Sequence, residues 1–590
     1  MVDSFLVTTA LEETWQADEK MPIIFLGEWC KLYNRKQLWQ ELEHNVCPYH
    51  WDDRKKYYKD YLYILDLYEL LLADLSTSLN KIHGINFSVR SWRILIGPWL
   101  GYFVQILFDR WCMIEYVCKE KNQLKTIVLT GQDGAMIPND MNSFVGFLTS
   151  DIWNHFIYSS ILKEFENVEI VERKYITDSL HAKVAPATSL NSKVKKIIKL
   201  TYNQLACYIN KKQAPLFINT YLSWKDYLKL SYRFKQIPVL ESTNAPEKIN
   251  PDLKKRDWIL EGRKQSNFEN FVRKIIPQQI PISYLEGFTS LFKKSDTMCW
   301  PIQPKIIFTT NSFSSDDIFK MYAARKIQNK TPLVIGQHGG HYGIGKIFFN
   351  EVHELLISDK YLSWGWTDLE NPKIKGVGQI IAKKPLGIKH SVKPNILLVT
   401  TTMPRYSYFM FSIAMSSQWI DYFIDQCRFV GGLSDDIRNV LTVRLHKNDF
   451  GWDQLERWNE KFPNLKYDIA KVDMKIHIQE SRIFVSTYNA TTYLESFTMN
   501  IPTVIFWNPT YSEIRENVLP YFEELKQVGI FHDNPESAAL HINHVWEDVD
   551  AWWSSPEVTE VVNRFKRNFC YLTEKLVDNI EVELRTAIED

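Results

Sequence analysis

The sequence predicts an α/β protein built as a clamp: two Rossmann-like domains facing a cleft, with helical insertions in the N-terminal domain and a long C-terminal helix. Three observations predict it. Short apolar runs bounded by polar turns alternate with longer helix-like segments, the pattern of parallel strands joined by crossover helices. The Lys- and Pro-rich stretch Ala382 to Pro394 reads as a linker dividing the chain. After it, strand and helix alternate over about 110 residues, as a doubly wound sheet requires. The chain has 590 residues. A single core rarely exceeds about 250 to 300, so two or three domains are expected.

In the first half the expected strands are Phe5 to Thr9, Pro22 to Leu26, Thr126 to Leu129, Pro215 to Ile218, Lys305 to Phe308 and Thr331 to Ile335. Helices are expected near Arg54 to Leu79 and Val89 to Val117, the second kinked at Gly97-Pro98. In the second half, strands at Asn395 to Thr400, Val440 to Leu445, Arg482 to Val485 and Pro502 to Phe506 enclose helices near Tyr408 to Asp425, Trp452 to Lys461 and Ala490 to Met499. Glu557 to Thr586 reads as one closing helix. The expected units are residues 1–385, 386–555 and 556–590.

The charges balance, 70 basic against 70 acidic, so no overall field attracts nucleic acid or an anionic membrane. Eight cysteines without a C-x-x-C pair read as reduced thiols in the cytoplasm. The acidic start does not fit a secretory signal, and the most apolar stretch, Tyr61 to Leu75, carries three acids and is shorter than a membrane span. Peripheral membrane contact is the most that is expected. The 82 aromatic residues (20 Trp, 29 Tyr, 33 Phe) are read first as core, although aromatic faces also stack on sugars.

Ligands of such sheets bind beyond the carboxyl ends of the strands. "VIGQHGGHYGIGK", residues 334 to 346, spaces Gly340, Gly345 and Lys346 as a phosphate-binding P-loop would. Ile347 follows where that loop needs a Ser or Thr hydroxyl for magnesium, so a ligand-lining loop of another kind is expected. His338 and His341 lack a third ligand for a metal and are candidate bases or hydrogen-bond donors. No metal or other cofactor is expected.

"RIFVSTYNATTYLES" ends a strand with Ser486 and Thr487 and then starts a helix, an anion site of backbone N–H groups. Thr491 and Glu495 share one face of that helix, which lets Glu495 reach a ribose hydroxyl. An ordinary Ser/Thr cap is the alternative, and the setting in a second Rossmann-like half favours the phosphate. "TVRLHKND" sets Arg444, His446 and Lys447 at the preceding strand end, and "TTTMPRYS" adds Arg405, together a basic pocket for a nucleotide phosphate. A solvated basic turn is the alternative. "HWDDRKKYY" reads as a helix cap, with Asp52 or Asp53 as a catalytic carboxylate the sharper alternative, and Glu12 is a further candidate.

"LVTTALEETW", "FLGEWC", "WDDRKKYYKDYLY", "SWRILIGPWL", "GQHGGHYGIGK" and "STYNATTYLESFTMNIPTVIFWNP" resemble a family of transferases from bacterial O-antigen and surface-polysaccharide loci, over nearly the full length. The second half is similar to GT-B glycosyltransferases that use CMP-activated acidic sugars. In those a His after one strand and a Ser-Ser or Ser-Thr pair after another hold the phosphate; His446, Ser486 and Thr487 match, while Lys447 departs from the usual Pro. The resemblance implies a GT-B-like glycosyltransferase acting at the cytoplasmic face, with a nucleotide-sugar donor and a glycan or lipid-linked glycan acceptor. No metal is required of it, because the basic pocket and the helix start can carry the leaving phosphate's charge. The glycine-rich loop also resembles loops of teichoic-acid glycerophosphotransferases. That keeps phospho-alcohol transfer from a CDP donor, and a glycan-assembly scaffold, as alternatives.

Overall fold

The strands of the computed structural model form three sheets, and every strand pairing is parallel. The structure describes residues 4–15, 21–131, 133–175, 199, 201–206, 208–210, 212–240, 245–263, 265–381 and 394–590. The expected linker at 382–393, and with it the 385/386 boundary, lies outside these residues.

The first sheet holds β1 (Ser4–Val7), β2 (Ile23–Phe25), β3 (His44–Val46), β4 (Leu124–Thr130) and β5 (Val168–Lys174) in the order β3-β2-β1-β4-β5. Two long helices follow β3, α1 (Arg54–His83) and α2 (Val89–Glu120). Asp53 starts α1 by accepting from Lys55 N at 2.9 Å and Lys56 N at 3.1 Å, and Gly84 stops it at φ 64°. Pro98 lies inside α2 without ending it.

The second sheet runs β10-β9-β8-β7-β6, from β6 (Leu216–Phe217), β7 (Ile307–Thr309), β8 (Leu333–Gly336), β9 (Lys360–Ser363) and β10 (Ile374–Gly376). After β6 comes α3 (Trp224–Arg233), and after the glycine-rich loop comes α4 (Phe349–Ile357). Gly101 of α2 lets α4 approach: a Cβ there would sit 1.9 Å from the Phe349 ring. The first half therefore carries two parallel sheets where the strand pattern suggested one.

The third sheet comprises β11 (Ile396–Val399), α5 (Trp419–Gly432), β12 (Leu441–Arg444), β13 (Lys466–Asp468), β14 (Ile483–Ser486), α6 (Thr491–Thr498), β15 (Thr503–Phe506) and β16 (Phe531–His532). Its order, β13-β12-β11-β14-β15-β16, reverses between β11 and β14, which opens a crevice at their carboxyl ends. This is the α/β, GT-B-like class expected. One apolar core runs through the first two sheets and the inner face of the third, and a second fills the third sheet's outer face beneath α5.

Two expected helices differ. The C-terminal one is α7 (Pro556–Phe569) and α8 (Leu576–Glu589). Between them Tyr571 N donates to Trp364 O, and Tyr571 O accepts from Gln379 N, both at 2.8 Å, so the backbone is spent on the second sheet's lobe. α8 then packs on β9 and α3, with Arg233 paired to Glu581 at 2.6 Å. The closing helices therefore anchor on the second sheet. The helix expected from Tyr408 starts only at Trp419. Before it, Met410 N donates to Gln105 Oε1 at 2.6 Å, Phe411 N to Tyr57 Oη at 2.8 Å and Ser412 N to Ile347 O at 3.0 Å, which takes the groups a helix would use. Among the described residues no helix is long and apolar enough to cross a membrane.

Candidate active site

A cavity of about 360 Å³ lies between the glycine-rich loop after β8 and the carboxyl ends of the third sheet. His338, Gly339, Gly340 and His341 line one wall; Thr401, Thr402, His446, Phe450 and the segment Tyr488 to Thr491 line the other. The loop is fixed from behind by Gln337, whose Oε1 accepts from Trp364 N and Trp366 Nε1 at 2.9 Å while Nε2 donates to Gly339 O at 2.7 Å. From the front it is docked on α6. Gly340 N donates to Thr491 Oγ1 at 3.1 Å, and a Cβ on Gly340 would stand 2.6 Å from the Ala490 carbonyl. Ala490, the residue before α6, supplies no side-chain cap, so the helix's first N–H groups keep their capacity for an anion. Lys346 turns outward, its Nζ 4.7 Å from the Tyr58 ring centroid, in keeping with a loop that is not a P-loop.

His338 and His341 differ in access. His341 is wedged between Phe348 and Phe411, with ring centroids 4.9 and 4.7 Å away, and its Nδ1 lies 3.3 Å from Asn489 O. The His338 side chain keeps 22% of its surface exposed. Behind it, Tyr342 Oη lies 3.1 Å from His338 Nε2 and donates to Glu354 Oε1 at 2.5 Å, and Glu354 Oε2 lies 3.9 Å from His338 Nδ1. Glu354 is fully buried on α4, and burial pushes its carboxyl well above the carboxylate range. His338 also borders a small inner chamber with His353 and Glu354; neither His353 nitrogen has a partner among the described residues.

Burial pushes both His338 and His341 down to about 4. The unfolded imidazoles take up protons near 6.5, the folded ones only near 4, so between these values the unfolded chain binds more protons. Stability is therefore expected to fall as pH drops from about 6.5 toward 4. Burial lowers His155 and His541 to the same value, which adds to the effect. Thermal unfolding measured across that range checks it, with a fall in Tm on the order of 5 °C expected from several such groups acting together.

On the opposite wall the strand ends align in register, Val399 pairing with Arg444 on one side and Ser486 on the other. The side chains divide. His446 and Thr491 face the cavity. Thr487 borders a smaller adjoining cavity and donates to Val399 O at 2.9 Å, and Ser486 bonds Tyr488 O at 3.3 Å. Lys447 is exposed beyond the rim, and Glu495 follows Thr491 by one turn of α6. Arg444 is buried against Asp468, and it donates to Val472 O at 2.7 Å. Arg405 is buried between lobes, bonded to Asp151 at 2.7 Å, to Phe450 O at 3.2 Å and to Trp29 O. Of the expected basic pocket of Arg405, Arg444, His446 and Lys447, only the His446 imidazole lines the cavity, because both guanidiniums are taken up by carboxylates and Lys447 stands outside.

Arg405 acts as a tie between the first sheet's lobe and the third. Arg405→Ala takes the charge partner from a half-buried carboxylate and is expected to cost about 2–3 kcal/mol, less than a fully buried pair because Asp151 keeps the Tyr406 hydroxyl and some solvent. Chemical denaturation of the variant checks this.

The carboxylate candidates lie in the turns and helix start of the first sheet's lobe, and none lines this cavity. Glu12 pairs with Arg35 through two 2.7 Å bonds, which lower its carboxyl. Asp53 caps α1. Asp52 accepts from Gln418 Nε2 at 3.0 Å and Tyr49 N at 3.2 Å beside a separate interlobe cavity, and burial raises its carboxyl. Sequence reasoning did not single out Tyr342, Glu354 or Phe450. The signal for Glu354 is "FNEVHELLI", where Glu351 and Glu354 stand three apart, on one helix face, among apolar residues.

A family model described as LIC12162 family transferase matches residues 4–584, and the chain belongs to that family. No curated protein sequence matches it. Among solved structures, parts of the chain are similar to S. aureus TarM, solved with UDP and α-GlcNAc-glycerol, at 13% identity over 48% of this chain and 55% of that one, with a TM-score of 0.30. The pneumococcal O-GlcNAc transferase GtfA, solved with UDP and GlcNAc, is similar at 10% identity over 52% and 60%, TM-score 0.32. The wall teichoic acid polymerase TagF is similar at 10% over 68% and 99%, TM-score 0.31. The chain thus spans little more than half the length of the first two.

Proposed function

We propose that this transferase moves a sugar from a nucleotide donor to a surface-polysaccharide acceptor. The single observation that carries the reading is the cavity's two walls. The uncapped start of α6 with His446 on one side suits a leaving phosphate; His338 on the other suits the acceptor hydroxyl. Glu495 on α6 would serve the ribose, and Thr487 the nucleotide side of the crevice. His338 takes the hydroxyl proton as the oxygen attacks the anomeric carbon, and the bond from that carbon to the phosphate oxygen breaks. The helix dipole and His446 then hold the phosphate's charge, a role that needs no divalent ion. A CMP-linked acidic sugar is the donor this reading favours, and the cytoplasmic face of the membrane its place of action.

Thermal-shift titration with CMP, CDP, UDP and GDP, followed by product analysis with the matching sugar nucleotide, tests it. Stabilisation by CMP, and a glycoside product formed equally in EDTA, are expected. No stabilisation by any of the four, or a phosphodiester product, would overturn it.

A further inference from the structure

The segment after β6 carries two residues in the left-handed region, Asn219 at φ 49° and Tyr221 at φ 56°. Residues with a Cβ seldom adopt such angles, and where they persist the surroundings hold them. Here Thr310 at the end of β7 does so: its N and Oγ1 both donate to Asn219 O, at 3.0 and 2.5 Å. Asn311 Nδ2 then donates to Tyr221 Oη at 2.7 Å. The result is a tyrosine whose hydroxyl is held and whose loop is anchored two residues before it, yet which is 41% exposed. Its ring centroid is 6.4 Å from that of His338, at 69°. Phe313 flanks the same imidazole at 6.2 Å.

We propose that the Tyr221 ring is an acceptor subsite, a platform on which one pyranose ring of the glycan lies beside His338. This rests on His338 as the acceptor-side base. An aromatic face meets the C–H-rich face of a sugar ring, burying apolar surface while the hydroxyls stay at the edge in reach of polar groups. Beside the ring stand the Asn311 amide, bonded to its hydroxyl, and the His338 imidazole 6.4 Å away between centroids, so a sugar lying on the ring has its hydroxyls within reach of the base. A purely apolar ligand would leave those groups desolvated and unmatched. The fixed orientation of the ring limits the ordering cost of binding.

Saturation-transfer NMR on the full chain, with methyl glucoside, galactoside, N-acetylglucosaminide and glucuronide as probes, tests the platform. At least one pyranoside is expected to receive saturation at its ring protons. Tyr221→Phe should keep the signal. Tyr221→Asn, which suits a positive φ and so keeps the loop folded, should weaken binding at least tenfold. Equal binding by Tyr221→Asn and the parent chain, or no saturation of any probe, overturns the proposal. The readout involves no chemistry, so it stands or falls separately from the loss of rate in His338→Ala.

Discussion

Replacing His338 with Ala is expected to slow transfer about 10²- to 10⁴-fold, the range for removing a general base, with nucleotide affinity little changed. The acceptor hydroxyl then loses its proton acceptor, while the α6 start, on the opposite wall, is untouched. In the free enzyme burial holds His338 down to about 4, so the acidic limb of kcat/KM should lie near that value and not at the 6.5 of an exposed imidazole. The phosphate's negative charge favours the imidazolium, so the limb of kcat should lie higher. Glu354 separates two roles for the group behind it. Burial raises its carboxyl and so favours the neutral form, and Glu354→Gln, neutral and of similar shape, should retain activity within about tenfold. Glu354→Ala leaves Tyr342 Oη without its 2.5 Å partner, and should cost about 1–3 kcal/mol of stability as well as rate. Rate profiles against pH for the three variants decide the matter. A kcat/KM limb in the parent near 6.5, or full activity in His338→Ala, would remove the base from the reading.

Gly340→Ala should have an effect as large by another route. Its Cβ would meet backbone atoms of Ala490 at 2.6 Å and Thr491 Cα at 2.8 Å, and backbone cannot swing aside as a side-chain tip does. Either the loop lifts off α6, taking His338 with it, or the helix start shifts from the phosphate. A displacement of about 1 Å between reacting groups costs on the order of 10²-fold in rate. The expected result is a loss of that size, with weaker nucleotide-induced stabilisation and a near-normal circular dichroism spectrum. Unchanged kinetics would show that the loop and helix do not meet during turnover.

Much of the architecture was legible before the coordinates. The apolar runs of all four central strands of the third sheet stand out because a parallel strand is buried on both faces. The edge strands do not: Val168–Lys174 is rich in charge and Phe531–His532 is two residues long, since one side of each meets solvent. The capping reading of Asp53 and the failure of the P-loop pattern at Ile347 were also legible, because each depends on neighbours in the chain.

The site divides in the same way. Sequence alone determined that the strand ends followed by His338, His446 and Thr487 would be polar and would belong to parallel sheets, since residue type and period decide that locally. Only the tertiary structure decided that Arg405 pairs with Asp151, 254 positions away, and that Arg444 pairs with Asp468. It alone brought Glu354 behind His338 and set Tyr221 at its side. The physical reason is that a buried charge takes whichever opposite charge the packing brings within reach, and packing is a property of the whole chain.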